Sequence, residues 1–458
     1  MKIAVVGSGI SGLAAAWLLS TRHAVTLFES EPRPGGHTHT VDVQIGTTQV
    51  SVDTGFLVFN RVTYPNLVAL FEALQVPVVA SDMSLSVSLL DEDIEWCGST
   101  LGSLFVQPRN LVRPRFLGML RDVLRFNRVA GRAARAGGTP GAEPVGPGFG
   151  DEITAVSAAR ATGPDDPLTL GQFLDREGFG SAFRDWYLLP MAGAIWSCPT
   201  ETMLEYPWLS FARFCANHGL LQITHRPQWY TVAGGARGYV ERLLAVLTDV
   251  RCGTPVRQVL PLPAGPEGRA SGVHVRTDQG TEWFDQVVFA CHSDQALALL
   301  PQAGADLRKV LSAFGWQANE VVLHTDTALL PRRRGAWAAW NYLAGRAGAS
   351  GRPVGVSYLI NRLQPLSVQT PVIVTLNPPQ RPDGARVLRQ LTWHHPVFGP
   401  ASAAAQRALP ALQGRDGLWF AGAWTGHGFH EDGLRSALVV ANRLGVRAPW
   451  QSAGVAHA

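Results

Sequence analysis

The first thirty residues carry the pattern that most restricts what this chain can fold into. An apolar, β-branched run over residues 2–6 predicts a buried parallel strand, and a row of helix formers begins at Leu13. A second apolar run over residues 24–28 ends on Glu29. Between the first strand and the helix lie three glycines in the spacing G-x-G-x-x-G, namely Gly7, Gly9 and Gly12. Such glycines admit a pyrophosphate at the helix N-terminus and such an acid binds ribose hydroxyls, so the sequence predicts a Rossmann-like dinucleotide-binding unit.

The composition narrows the class of protein further. A chain of 458 residues, 46% hydrophobic and 16% charged, is long and apolar enough for about two or three domains. Its net charge of +4 is mild for this length and gives no support for nucleic-acid binding. The five cysteines include no C-x-x-C pair, which argues against a disulfide scaffold or a zinc site and favours a reducing cytoplasm. No apolar run approaches the about 20 residues of a membrane helix.

Further motifs follow along the chain. A second glycine pair, Gly35 and Gly36, precedes His37, and Asp53 and Gly55 follow within Val-Asp-Thr-Gly-Phe. Later motif-like segments cover residues 229–235, 253–259, 418–424 and 426–433. In this order the segments resemble those of the flavin-containing amine oxidase and phytoene desaturase superfamily.

The resemblance implies a fold, a cofactor and a domain organisation. The fold would be α/β, with a Rossmann-like FAD-binding domain of the two-dinucleotide-binding-domain flavoprotein type and an inserted α+β substrate domain. The FAD-binding domain would comprise residues 1–80, 220–300 and 410–450, and the substrate domain 81–219 and 301–409. FAD would be bound non-covalently, since no cysteine lies near the positions used for covalent attachment. The implied cofactor contacts are Gly7, Gly9, Gly12, Glu29, Gly35, Gly36, His37, Asp53, Gly55, Val256, Gly422, Trp424, Glu431 and Asp432.

The two insertions are predicted to differ in secondary structure. Hydropathy and turn residues predict, in the first insertion, a strand at 83–89, a basic helix at 109–135, a loop at 137–148 and helices at 168–174 and 183–190. The second insertion is predicted to form antiparallel strands at 320–325, 337–343, 354–360 and 372–376.

The chemistry expected of such a protein needs a dry pocket that holds a substrate C–H bond against the flavin. The candidate catalytic residues are Trp196, Trp393, His394, His395 and His430. For Glu431 and Asp432 two alternatives stay open, helix capping and direct contact with flavin or substrate. Many amine oxidases keep a lysine on the strand entering the second insertion, and residues 319–324 contain none. Trp424 also stands where those enzymes have an acid, so an amine substrate is disfavoured.

The segments at residues 36–39, 52–60, 189–197 and 428–433 are similar to those of a bacterial branch described as predicted NAD/FAD-binding oxidoreductases. Some members of that branch are associated with cyclopropane-fatty-acid-synthase-like methylases and with dehydrogenation of methylated membrane acyl chains. The resemblance therefore implies an FAD-dependent oxidoreductase that removes hydride from an apolar small molecule or lipid and passes electrons to an unidentified acceptor. The alternatives are a flavin amine oxidase, a non-redox flavin-dependent isomerase or mutase, and a non-catalytic FAD-binding partner of a lipid methylase.

The basic stretch 109–135 leaves two interpretations open. Its arginines interleave with apolar residues and Asp122 is almost the only acid, which is the pattern of a helix that lies on a membrane surface. The same pattern fits a lid helix with a solvated arginine face. The first interpretation predicts a cytoplasmic protein that associates peripherally with the inner face of the membrane, and the second predicts a cytoplasmic protein without that association.

Overall fold

The N-terminal residues form a parallel sheet with helices on its faces. A computed structural model of the protein describes residues 1–136, 168–196, 203–222, 226–262, 272–345 and 354–452. The parallel sheet has five strands in the spatial order β10 (Asp249–Arg251), β2 (Ala24–Phe28), β1 (Lys2–Val6), β14 (Gln286–Phe289) and β20 (Leu418–Phe420). Because β2 and β14 lie on opposite sides of β1, the strand order reverses at β1, and such switch points hold ligands at the carboxyl end of the strand.

Two helices cross against this sheet at very close range. Helix α1 (Ile10–Leu19) is rich in alanine and leucine and is buried on nearly all sides. Helix His430–Arg443 packs on it, and a Cβ added at Gly433 would lie 2.8 Å from Oγ of Ser11. Glycine at this position therefore allows the close approach of the two helices. The predicted Rossmann-like unit is confirmed.

The second large sheet combines strands from both predicted insertions. Its seven strands run in the order β19 (Val387–Val397), β15 (Gly315–His324), β18 (Ile373–Leu376), β17 (Val354–Leu359), β16 (Trp340–Ala344), β7 (Leu85–Leu89) and β8 (Ile94–Cys97). The strands of the second insertion pair antiparallel, as expected, whereas β16 and β7 pair parallel. The strand expected at 337–343 begins only at Trp340, because Arg334–Ala336 form a 3₁₀ turn before it.

Three smaller sheets complete the β structure. They are the hairpin β3 (Thr40–Ile45) and β4 (Thr48–Asp53), the antiparallel β11 (Val256–Leu262), β12 (Gly272–Thr277) and β13 (Gly280–Phe284), and the trio β5 (Phe59–Asn60), β9 (Trp229–Val232) and β6 (Val78–Ser81). The remaining helices are α2 (Pro65–Ala73), α3 (Leu101–Leu104), α4 (Pro114–Ala136), α5 (Leu170–Arg176), α6 (Ser181–Phe183), α7 (Leu189–Trp196), α8 (Trp208–Asn217), α9 (Arg237–Leu244), α10 (Ser293–Ala298), α11 (Ala305–Leu311), α12 (Ile360–Leu363), α13 (Pro400–Ala408), α14 (His430–Arg443) and α15 (Pro449–Ser452).

The first insertion is largely helical, with differences in detail from the expectation. The basic helix begins at Pro114 rather than at residue 109, since Pro108–Leu111 form a separate 3₁₀ turn and proline suits the first position of a helix. The helix expected at 183–190 contains a π-helical turn, Arg184–Leu188. The loop expected at 137–148 lies outside the described residues. Among the described helices, none combines the length and hydropathy needed to cross a membrane.

Candidate active site

The glycine-rich loop leaves one side of the α1 N-terminus accessible. A Cβ at Gly12 would lie 1.8 Å from the carbonyl oxygen of Gly7, and Gly7 itself has a φ of +103° with Ala290 packed against it. Gly9 differs, because a Cβ added there would meet nothing within 4 Å, and as a glycine it has no side chain with which to cap the helix. Gly9 and the N-terminus of α1 together form a surface suited to an anionic group such as phosphate.

Glu29 lies beside this loop at the end of β2. Its carboxylate accepts hydrogen bonds from the backbone N–H and the Oγ of Ser8, at 2.9 and 2.5 Å, and from the N–H of Glu31 at 2.9 Å. The acid predicted to bind ribose is therefore held at the edge of the glycine-rich loop, at the carboxyl end of the central strands.

The second glycine pair packs directly onto the first motif. The N–H of Gly35 donates to the carbonyl of Ser8 at 3.0 Å. Gly36 has a φ of +55°, and a Cβ there would lie 3.1 Å from Cα of Gly9. The two glycine motifs, separated in sequence by more than twenty residues, thus form one glycine-lined cradle.

A group of imidazole and indole rings adjoins the cradle. This aromatic wall consists of His37, His39, Trp393 and His395. The ring centroids of His37 lie 4.7 Å from Trp393 and 5.3 Å from His395, and His39 meets Trp393 edge-on at 5.5 Å. Nε2 of His37 is buried and has no hydrogen-bond partner within the described residues. The structure therefore brings the predicted cofactor residue His37 together with the predicted catalytic pair Trp393 and His395.

The aromatic wall is electrically neutral near pH 7. Burial lowers the pKa of His395 and of His39 to about 4, and lowers the pKa of His37 well below its ordinary value. Neighbouring positive charge adds to the effect, from Arg33 on His37 and His39. The indole N–H of Trp393 donates to the carbonyl of Thr54 at 3.0 Å, which fixes the ring.

Strand alternation separates the two adjacent histidines of β19. Trp393 and His395 point to one face of the strand, whereas His394 is exposed on the other. His394 comes nearest to His292, with ring centroids 6.2 Å apart. The structure therefore does not place His394 in the aromatic wall. His292 itself stacks on Trp316 at 3.7 Å, and burial lowers its pKa to about 4.

A chain of amides fixes the orientation of His395. The backbone N–H of Glu320 donates to Oδ1 of Asn377 at 3.0 Å, so Nδ2 of Asn377 faces Oδ1 of Asn319 at 2.7 Å. Nδ2 of Asn319 then donates to the carbonyl of Gln317 and to Nδ1 of His395, both at 3.1 Å. Because Nδ1 accepts, the proton of the neutral imidazole is on Nε2. His395 is held as a hydrogen-bond donor through Nε2.

The N-terminus of α14 is engaged with protein groups. His430 stacks on Phe56 at 3.9 Å and its Nε2 lies 3.1 Å from Oγ1 of Thr38. Glu431 accepts from the backbone N–H of Asn66 and Leu67 at 3.1 and 3.0 Å, which caps α2. Asp432 accepts from the N–H of Phe429 at 3.1 Å and pairs with Arg435 at 2.6 Å. Capping thus accounts for both carboxylates, and Glu431 caps a different helix from its own.

Other predicted residues hold the surrounding structure together. Asp53 accepts from the N–H of Ala236 at 3.0 Å and from Nε2 of Gln364 at 2.6 Å, and burial raises its pKa to about 6. Gly55 passes so close to His37 that a Cβ would lie 2.0 Å from the His37 carbonyl oxygen. The carboxylate of Asp53 therefore joins β4 to the start of α9 and to the segment after α12.

The remaining predicted residues lie in the hydrophobic core. Trp424 is buried with its indole N–H donating to the carbonyl of Cys291 at 3.1 Å, and it packs over Gly422. Val256 is buried at the start of β11. Trp196, at the end of α7, packs on Phe214 of α8 at 4.4 Å. No ring contact among the described residues joins Trp196 to the aromatic wall.

Sequence reasoning missed His39, His292 and the Asn319–Asn377 pair. His39 lies two residues after His37, and His292 follows directly on the β14 region, where carboxyl ends of parallel strands gather ligand-binding residues. These two positions in the sequence could have identified His39 and His292 as site residues. Nothing in the sequence identifies the two asparagines, because their role depends on the pairing of β15 with β19.

The comparisons with known proteins agree with this architecture. Residues 5–74 match the family model of an NAD(P)-binding Rossmann-like domain. The chain is 30% identical over 345 residues to the carotenoid φ-ring synthase of Streptomyces griseus, an alignment that covers 72% of this chain and 59% of that protein. The chain therefore spans less than two thirds of the length of this relative.

Solved structures extend the likeness across the whole chain. The CLA-producing fatty acid isomerase from P. acnes superposes with a TM-score of 0.65 at 16% identity, covering 97% of this chain and 98% of that chain. Cyclohexylamine oxidase from Brevibacterium oxydans IH-35A gives 0.63 at 14% identity, covering 97% and 99%. The chain has a mixed α/β fold with a Rossmann-like domain, which confirms the predicted fold class, and these likenesses bear out the predicted resemblance to the flavin-containing amine oxidase and phytoene desaturase superfamily. The narrower bacterial branch, the domain boundaries and the residue roles stay predictions.

Proposed function

We propose that this chain is an oxidoreductase that binds FAD non-covalently and removes hydride from an apolar substrate. Three observations indicate that the residues fit FAD. A Cβ at Gly9 would meet nothing within 4 Å, Gly36 approaches Cα of Gly9 to complete the cradle, and Nε2 of His37 is buried with no hydrogen-bond partner among the described residues. The amides at the start of α1 would hold the pyrophosphate, and Glu29 would bind the ribose.

The observation that carries the proposal is the neutral aromatic wall beside the cradle. Rings whose charge is suppressed by burial suit an apolar substrate, and the guanidinium of Arg33, 5.8 Å from the ring centroid of Trp393, repels an ammonium ion placed there. The stretch that corresponds to the strand on which many amine oxidases keep a lysine, residues 319–324, contains no lysine.

The residues of the wall suit a dehydrogenation. Bound FAD would supply a two-electron acceptor for the hydride of a substrate C–H bond, and dioxygen or a quinone would re-oxidise it. The proton of the neighbouring carbon would be released to solvent, so that a carbon–carbon double bond remains. His37 is a poor acceptor for that proton, because burial lowers the pKa of its imidazole well below the ordinary value. The N–H at Nε2 of His395 would hold a polar group at the edge of the flavin or substrate, and Trp393 would exclude water.

The substrate proposed is a lipid acyl chain, including a methylated one. The carotenoid φ-ring synthase is named for a carotenoid, and the fatty acid isomerase is named for a fatty acid. Both are apolar, which supports the class of substrate. An isomerisation without net redox change is the second candidate, because this chain shares the fold of that isomerase along 97% of its length.

The test is anaerobic titration of the purified protein with candidate substrates while the absorbance of oxidised flavin is recorded. We expect the flavin to bleach with methyl-branched or cyclopropane phospholipids and to stay oxidised with putrescine or cyclohexylamine. Bleaching by amines alone would refute the proposal in favour of amine oxidation. Turnover only after pre-reduction of the flavin, without net loss of electrons, would establish the isomerisation instead. Purified protein that retains no FAD would refute both.

A further inference from the structure

Helix α4 exposes apolar and cationic side chains on the same face. Its solvent-facing positions recur every three or four residues, which is the spacing of one helical stripe. The stripe consists of Leu117, Arg121, Leu124, Arg128, Arg132 and Arg135. Leu117 and Leu124 are 43% and 51% exposed, although leucine in a surface helix normally faces the core. We call this stripe the arginine–leucine face.

The opposite side of α4 packs against the hydrophobic core. Phe116, Met119 and Phe126 are buried in the core, and the buried carboxylate of Asp122 accepts a hydrogen bond from the N–H of Gly180 at 3.1 Å. The apolar side that the sequence assigned to a membrane is therefore the side that holds the helix to the protein. The exposed leucines do not contribute to that core, so folding does not explain them.

Apolar exposure continues ahead of the helix. Leu111 and Val112, just before its first turn, are 54% and 80% exposed. Together with Leu117 they place three large apolar side chains in water within seven residues of sequence. Isolated exposed apolar residues are ordinary, but a series of them beside a row of arginines is typical of surfaces that bind a partner.

The charge on this part of the chain is strongly asymmetric. Residues 113–136 contain seven arginines and one acid, and that acid is the buried Asp122. Arg113 and Arg115 lie over the ring of Trp186, at 5.0 and 4.7 Å, which orders the base of the helix. Arg121, whose side chain is 81% exposed, projects into solvent, and its guanidinium lies 3.6 Å from the carboxylate of Asp122. The exposed part of α4 is therefore cationic.

We infer that the arginine–leucine face, with Leu111 and Val112, docks the protein on the surface of a bilayer that contains anionic lipids. Leucines that enter the acyl boundary and arginines that remain at the phosphates are the combination such a surface recognises. A nucleic acid would use the arginines and leave the leucines in water. The docking is independent of the redox reaction, since it involves no residue of the cradle or the aromatic wall.

Co-sedimentation of the full-length protein with vesicles tests the inference. We expect binding to vesicles of phosphatidylcholine with phosphatidylglycerol, weaker binding in high salt, and none to phosphatidylcholine alone. Arg121→Glu with Arg128→Glu should weaken binding by at least about 25-fold, since each basic residue contributes about fivefold. Leu117→Gln with Leu124→Gln keeps good helix formers and should weaken binding by about tenfold.

The matched control reverses two exposed arginines elsewhere, Arg276→Glu with Arg381→Glu, and changes the net charge equally. It should bind vesicles within about twofold of the unmodified protein, apart from the small effect of net charge. Thermal melting of all variants confirms that they fold. Equal loss of binding in the control, no effect of the leucine changes, or no binding of the unmodified protein would overturn the inference. None of these readouts depends on flavin content or turnover, so the proposed function can fail separately.

Discussion

The amide chain behind His395 determines which imidazole nitrogen carries the proton, and a substitution at Asn319 should change that nitrogen. Nδ2 of Asn319 donates to Nδ1 of His395 at 3.1 Å, and Asn319 is fully buried. Asn319→Asp replaces that donor with an acceptor. Amide groups of Asn377 and Gln317 already point at its Oδ1, at 2.7 and 3.3 Å, and would stabilise the new carboxylate. The carboxylate should therefore draw the proton of His395 from Nε2 to Nδ1.

The same substitution should raise the pKa of His395. Two unit charges 4 Å apart at an effective dielectric constant of about 20 attract by about 4 kcal/mol, which corresponds to about three pH units. The contact in this protein is 3.1 Å, and burial has lowered the pKa of His395 from 6.5 to about 4. The two effects nearly cancel, so we expect a pKa of about 7 in the variant.

The activity of Asn319→Asp should depend on pH in the neutral range. Above about pH 7 the variant presents a bare Nε2, and below it the doubly protonated ring presents an N–H there. Substrate-dependent flavin reduction by Asn319→Asp should therefore fall as the pH rises through about 7, whereas the unmodified protein shows no change from His395 in that range.

Nitrogen NMR of histidine-labelled protein measures the proton position without a substrate. The expected result at pH 8 is Nε2–H in the unmodified protein and Nδ1–H in Asn319→Asp. The double variant Asn319→Asp with His395→Gln is the control, because it keeps a side-chain donor that does not titrate in this range. If Nε2 of His395 keeps its proton in the single variant, the amide chain does not set the tautomer and the reasoning is wrong.

Two further outcomes are expected. Gly36→Ala should reduce the amount of FAD retained on purification, because the new methyl group would lie 3.1 Å from Cα of Gly9. Gly46→Ala is the control, since Gly46 has a similar φ of +58° and a Cβ there would meet nothing within 4 Å. This variant should keep FAD and lose only about 1 kcal/mol of stability. The protein should also lose stability in acid, measured by chemical denaturation across pH. The pKa of His395 and that of His218 are about 4 in the folded state, against a reference value of 6.5. Below about pH 6.5 the unfolded state therefore binds more protons than the folded state, and at pH 5 each histidine lowers the free energy of unfolding by about 2 kcal/mol. Stability that is constant down to pH 5 would contradict this.

Asp53 changes the folding stability in the opposite direction, and it offsets only part of the stability that the histidines remove in acid. Its folded pKa of about 6 lies above the ordinary 3.8, so the folded state gains stability as the pH falls from 6 toward 4. That gain amounts to about 1 kcal/mol by pH 5, against about 4 kcal/mol lost through His395 and His218 together. The histidines therefore dominate.

The dinucleotide-binding unit could be predicted from sequence because its determinants are local. Gly12 must be glycine because a Cβ would enter the Gly7 carbonyl, and both residues lie within one turn of chain. Glu29 ends the very next strand. The helix at Pro114–Ala136 was also evident, but its orientation was not. The side of an amphipathic helix that packs on the protein depends on which residues face it in the fold. Phe126 of this helix packs against Phe183 and Phe211.

The aromatic wall could be predicted only in part, because distant segments build it. His37 follows a local motif, but its neighbours come from β19, more than 350 residues later, and Asn319 reaches His395 through the pairing of β15 with β19. Strand register then decides between adjacent histidines. Asn319 pairs opposite Trp393 and Gln317 opposite His395, which directs these four side chains to one face and excludes His394. A shift of one residue would have reversed the assignment, so this site depends on a register that composition and motif spacing do not specify.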